Sequence, residues 1–130
     1  MRRLILIFII GLLYSCQKSG LEPKDAVQYL VHKINSLTTL QIPDEYTILQ
    51  AETMNTKEQD LMFARVSLTK TDIVNLAEKF RYLRRHTSGP GFGRIPGGWE
   101  FYHEIKGQEQ YKMFIDTLNN QLIIQHRILY

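Results

Sequence analysis

Residues 99–130, WEFYHEIKGQEQYKMFIDTLNNQLIIQHRILY, decide the fold. Trp99, Phe101, His103 and Ile105 alternate with Glu100, Tyr102 and Glu104. A period of two puts the first set on one face of a strand and the second on the other. Lys106 to Glu109 is polar and contains Gly107, so the chain turns there. A second strand is predicted over Tyr111–Thr117. Asn119 and Asn120 tolerate positive φ and mark the next turn, and Leu122–Tyr130 forms a third strand. Connections this short favour antiparallel pairing, because parallel neighbours need a crossover of a dozen or more residues.

Upstream the pattern changes period. Leu21–Leu37 reads as a helix, with Pro23 in its first turn, where a missing N–H costs nothing. Ala26, Val27, Leu30, Ile34 and Leu37 recur at helical spacing and form one apolar stripe. Asn35–Thr39 and Pro43 mark its end. Tyr46–Thr53 is read as a strand, with Tyr46, Ile48 and Gln50 against Thr47, Leu49 and Ala51. Asn55–Gln59 is a polar turn, and Leu61–Leu68 a strand with Met62, Ala64, Val66 and Leu68 on one face. Thr69 is placed to cap the next helix, with Asp72 three residues on. Ile73, Leu76, Ala77, Phe80 and Leu83 form that helix's stripe. The order is α-β-β-α-β-β-β. It predicts an α+β fold, a small two-layer sandwich of one antiparallel sheet of about five strands with two helices on one face.

The N-terminus differs from all of this. Arg2 and Arg3 precede an apolar run of 11 residues from Leu4 to Tyr14, followed by Ser15 and Cys16, the chain's one cysteine. A membrane-spanning helix needs about 20 apolar residues. A shorter run behind positive charge fits a secretory signal. Leu13-Tyr14-Ser15-Cys16 resembles the lipobox of bacterial lipoproteins, with leucine at −3 and a small residue at −1; Tyr14 at −2 is bulkier than usual.

That resemblance covers 16 residues and implies specific chemistry. A diacylglyceryl group is transferred to the Cys16 thiol, and a signal peptidase then cuts between Ser15 and Cys16. The new amino group is often acylated as well, with chains such as palmitate. Two or three acyl chains anchor stably where one binds only marginally. The resemblance thus implies a removed signal at 1–15, a lipidated cysteine and tether at 16–20 and a single domain at 21–130, held at the cell membrane. Gln17, where retained lipoproteins of Gram-negative cells often carry aspartate, resembles outer-membrane sorting. The covalent lipid is the one attached group expected; no metal or other cofactor is.

Composition narrows the partners. Residues 16–130 number 115, enough for one domain with a core. Two of the 16 basic residues lie in the signal, which leaves 14 against 13 acids. A body this close to neutral gives no electrostatic argument for nucleic acid. Without a second cysteine in the chain, no internal disulfide forms, and stability rests on packing.

RRHTSGPGFGRIPGG, residues 84–98, is the strongest candidate for a functional surface. It has 15 residues with five glycines and two prolines, and carries Arg84, Arg85, His86 and Arg94, with Arg81 just before it. Loops of this length are commonly either functional or irregular. Guanidiniums beside glycine amides suit a phosphate, a carboxylate or an acidic glycan. The competing reading is a solvated crossover from helix to strand. Gly89-Pro90-Gly91-Phe92-Gly93 is not a nucleotide loop, because it follows a helix and lacks a Gly-Lys-Ser/Thr ending.

Other constellations carry less. His103 and His126 share the apolar face, but Glu100 and Glu104 have the opposite parity, and two imidazoles without a third ligand make a poor metal site. Partly buried, hydrogen-bonded histidines are the expectation. Trp99 and Phe101 are expected in the core, and Tyr102 and Tyr111 exposed. Ser36, Ser67 and Ser88 have no nucleophile-elbow setting. The function expected is a non-catalytic binding or accessory module of the envelope, recognising a protein or an anionic ligand. An immunity or inhibitor role belongs to the same class, and a small hydrolase with a site near residues 84–98 is the alternative.

Overall fold

The computed structural model describes residues 22–86 and 91–130. The lipobox, with Ser15 and Cys16, lies outside them, as do Leu21 and residues 87–90. Two helices and six strands follow in the order α1 (Pro23–Thr38), β1 (Thr47–Asn55), β2 (Gln59–Ser67), α2 (Lys70–His86), β3 (Phe92–Ile95), β4 (Gly98–Ile105), β5 (Glu109–Asp116) and β6 (Gln121–Leu129). The fold is α+β with one antiparallel sheet. Its strands lie in the order β1-β2-β6-β5-β4-β3. Among the described residues no helix is long and apolar enough to cross a membrane.

Local sequence explains the element ends. Pro23 occupies the first turn of α1, and Thr39 leaves it in the left-handed region at φ 58°. Thr38 is buried yet satisfied: its Oγ1 donates to the Ile34 carbonyl and accepts from the Leu40 N–H. Asn35 Oδ1 accepts from the Ile42 N–H at 2.9 Å and fastens the outgoing chain to the helix. At the start of α2, Thr69 Oγ1 accepts from the Asp72 N–H, as an N-cap should. Lys106 and Gly107, at φ 50° and 69°, turn β4 into β5, and Asn120 at φ 54° sits between β5 and β6.

The core lies on one side of the sheet. Val27, Leu30, Val31 and Ile34 of α1 and Ile73, Leu76 and Phe80 of α2 join one apolar cluster with Ala64, Val66, Trp99, Phe101, Tyr111, Met113, Ile115, Leu122 and Ile124. Val31 is a buried member of α1 that the expected stripe leaves out. The opposite face has no helix over it among the described residues. There Arg65, Ile123, Phe114 and Glu100 stand in one cross-strand row.

Three expectations need correction. There are six strands rather than five: Phe92–Ile95 is a strand inside the segment read as a loop. It is short and Gly-interrupted, so its alternation is weak, but Pro96-Gly97 is a turn signal. In β1 the register shifts between Ile48 and Gln50. A β-bulge places one extra residue there and reverses the parity beyond it. Ala51 therefore packs on the core and Gln50 pairs with Arg65 on the other face. Tyr111, expected exposed, is buried in the core, because it stands opposite His103 and His126 on the helix-covered face.

Candidate functional site

The site begins with a tight turn. Ile95 pairs with Gly98, so Pro96 and Gly97 alone connect β3 to β4. Proline's fixed φ followed by a glycine at φ 81° is what a type II turn requires. The Gly97 carbonyl accepts from both the N–H and the Oγ1 of Thr117, which ties the turn to the end of β5. Gly98 admits no side chain, since a Cβ there would lie 1.9 Å from the Ile115 carbonyl oxygen. This close seating fixes the register that puts Arg94 directly opposite Trp99.

Trp99 is held from below by packed rings. Phe80 meets Trp99 at 5.7 Å and Phe92 edge-on at 4.9 Å, and Phe92 meets Phe101 at 5.1 Å. Around the indole stand three guanidiniums, Arg94 at 5.6 Å, Arg81 at 5.8 Å and Arg84 at 6.0 Å from the ring centroid. Arg81 and Arg84 are three residues apart on α2 and so share a face. Each cation gains about 0.5–1 kcal/mol from the ring at such exposed positions. Arg84 also lies in the last turn of α2, where the exposed carbonyl ends favour positive charge.

The described ion pair, His126–Glu109, lies elsewhere, and among the described residues no carboxylate pairs with these arginines. They border two adjoining cavities. One, of about 680 Å³, is lined by Arg81, Arg84 and Arg94 with Trp99, Thr117 and the β3–β4 turn. The other, of about 470 Å³, adds Arg85. Neither has a carboxylate or a histidine in its lining. Such a lining can hold a multiply charged anion in bidentate fashion. It offers no acid–base pair.

Four of the five basic residues singled out in the sequence therefore converge: Arg81, Arg84, Arg85 and Arg94. His86 does not join them. Its Nδ1 lies 2.8 Å from the Tyr82 carbonyl oxygen, and its ring stacks on Tyr82 at 4.1 Å. The sequence reading missed Trp99 as the centre of the cluster, having assigned it to the core. Both hold: Trp99 is 7% exposed, with its edge available to the cavities. The signal was present in the Arg-x-x-Arg spacing before the turn and in Arg94 five residues before Trp99.

The second histidine constellation sits in the other half of the sheet. His103 and His126 flank Tyr111 on the helix-covered face, one on β4 and one on β6. His126 is buried and stacks on Tyr111 at 4.3 Å. Its Nε2 lies 2.9 Å from Glu109 Oε1, and the Tyr111 hydroxyl donates to the same oxygen at 2.6 Å. The Tyr111 bond, aided by His126 and Lys33, holds the Glu109 carboxyl below its ordinary pKa against a smaller opposing effect of burial. Burial first, then Glu109 and Tyr29, push the Tyr111 phenol far above its ordinary value. Among the described residues no group of three or more His, Cys, Asp and Glu is arranged to hold a metal ion.

No protein-family model, curated protein or solved structure matches this chain significantly.

Proposed function

We propose that this chain is an exported, lipid-anchored lipoprotein whose domain is a non-catalytic recognition module for an anionic group of the cell envelope. Phosphate, carboxylate and acidic glycan share the chemistry that the arginine cluster can read. The observation that carries the ligand reading is the ring of Arg81, Arg84 and Arg94 around Trp99 without a carboxylate partner among the described residues. Like charges gathered without a counter-charge repel, and a bound anion relieves that repulsion. The anchor reading rests on Arg2, Arg3, the apolar run and Leu13-Tyr14-Ser15-Cys16.

Trp99 is the chain's single tryptophan and its own reporter. Titrating the detergent-solubilised full chain with pyrophosphate and with a sulfated polysaccharide should change Trp99 emission saturably. Raising salt should weaken the response, because exposed charge pairs are screened. Replacing Arg81, Arg84 and Arg94 with alanine should abolish it. A response that survives the triple replacement rejects the cluster as the binding site. For the anchor, Cys16→Ser should end metabolic labelling by palmitate and leave uncleaved precursor; continued maturation with membrane partition rejects the lipobox reading.

A further inference from the structure

A second cavity, of about 330 Å³, lies between α1 and the β1-β2-β6 half of the sheet and shares no residue with the arginine cluster. Met62, Ile128 and the ring of Tyr29 supply apolar walls, while Thr53, Asn55, Asp60 and His126 supply polar ones. No lysine or arginine lines it. Lys33, which acts on Glu109, stands outside the lining.

The hydrogen-bond network at the base of this cavity engages Nε2 of His126 and leaves Nδ1 over. Glu109 keeps its charge readily, so its Oε1 is an acceptor only. Tyr111 holds its phenolic proton and donates it to that oxygen. The contact from His126 Nε2 to the same oxygen must then be N–H donating. A neutral imidazole with its proton on Nε2 carries a lone pair on Nδ1. That Nδ1 has no partner among the described residues. In the neutral imidazole the carboxylate selects the Nε2–H tautomer, which leaves Nδ1 as the acceptor.

We propose that this cavity binds a small primary amine with a short apolar body. The amine donates to His126 Nδ1, its positive charge is balanced by the Asp60 carboxylate, and its apolar part lies against Tyr29, Met62 and Ile128. An amine suits the groups that carry the site: His126 Nδ1 as an acceptor, the Asp60 carboxylate, which accepts from the Tyr130 hydroxyl and has no lining cation, and aromatic and thioether walls that favour cations and flat rings. A carboxylate ligand finds no donor of positive charge here. The volume suits a ligand of about one ring and a short chain, at the small end of the range for ligand pockets.

Three probes of one shape separate these features: benzylamine, benzyl alcohol and benzoate. The full chain, labelled with ¹³C-methyl methionine and ¹⁵N-histidine, is titrated with each in detergent. Met62 lines the cavity, and Met54 and Met113 serve as internal controls. Benzylamine should shift the Met62 methyl and His126 Nδ1 saturably and leave Met54 unmoved. Benzyl alcohol should bind at least fivefold more weakly, and benzoate should not bind. Asp60→Asn should reduce benzylamine affinity about tenfold while leaving benzyl alcohol unchanged. Equal response to benzoate and benzylamine, parallel shifts of Met54 and Met62, or an Asp60→Asn variant that binds benzylamine normally each overturns the proposal. So does a ligand-free neutral His126 whose ¹⁵N shifts place its proton on Nδ1.

Discussion

The two halves of the sheet handle charge in opposite ways. Over β3 and β4, Arg81, Arg84 and Arg94 gather around one indole with no carboxylate paired to them among the described residues. Over β5 and β6, Glu109, Tyr111 and His126 form a closed set in which one carboxylate oxygen serves two donors. The first half is held by the ring packing beneath it, and its cations stand in water. The second half has Tyr111 and His126 buried in the core with Glu109 half-exposed at its rim, and an unmet hydrogen bond on a buried group costs much more. Groups that contribute little to stability and keep their charge exposed are free to bind; groups that complete each other's hydrogen bonds are tied to the fold, and of this set His126 Nδ1 is left over.

That contrast can be broken at several points, and the largest effect belongs beneath the exposed half. Phe80 is fully buried and supports both Phe92 and Trp99. Phe80→Ala should destabilise the domain by about 3–5 kcal/mol through lost transfer and cavity terms. Chemical denaturation followed at Trp99 measures it, and a loss below about 1 kcal/mol would mean that the ring stack is not a structural support.

Next comes the closed polar set. Glu109→Ala removes the shared acceptor and leaves the Tyr111 hydroxyl and His126 Nε2–H unmet, for a cost of about 1–3 kcal/mol. A stability unchanged from the parent would show that water replaces the carboxylate there.

The same set predicts a pH dependence. Glu109 is held below its ordinary pKa in the folded chain, with the Tyr111 bond as the main cause. A depressed folded value means that ionised Glu109 stabilises the fold above the unfolded carboxyl range, and that this contribution fades as pH falls through the folded value. The stability difference between the parent and Glu109→Gln should therefore be largest near neutrality and shrink on acidification below about pH 4.5, the ordinary value. Equilibrium unfolding at a series of pH values tests it; a difference that grows in acid reverses the assignment.

The smallest effect on stability is expected where the effect on binding is greatest. Arg81, Arg84 and Arg94 are exposed, and each replacement by alanine should change stability by no more than about 1 kcal/mol, the size of the lost contact with the Trp99 ring. The anion response of Trp99 should nevertheless disappear. If the triple replacement instead raises the melting temperature markedly, mutual repulsion was a real cost to the empty site, and the comparison sharpens in favour of a built anion cradle.

Much of this was open to reading in one dimension. The alternation of Trp99, Phe101, His103 and Ile105 told which residues share a face, and the helical spacing of Leu30, Ile34, Leu76 and Phe80 told which residues are buried. Periodicity carries this information because side-chain direction follows backbone geometry. The arginines of residues 81–94 were legible as a cluster by composition. His86 was not separable from them, because its departure depends on a local bond to the Tyr82 carbonyl. The β1 parity failed for a similar reason: a bulge at Leu49 costs one residue and leaves no composition signal.

What sequence determined, then, was the kind of most elements and most of their buried faces, β3 and the bulged β1 excepted, together with the grouping of arginines in the basic segment. What tertiary structure decided was neighbourhood. β6 inserts between β2 and β5, and that placement alone brings His126 beside Met62 on one side and Tyr111 on the other. The Pro96-Gly97 turn sets the register that faces Arg94 toward Trp99, while α2 delivers Arg81 and Arg84 to the same ring from a different part of the chain. A period of two says which face a residue takes but not which strand lies beside it, and both sites are made of residues joined across strands rather than along them.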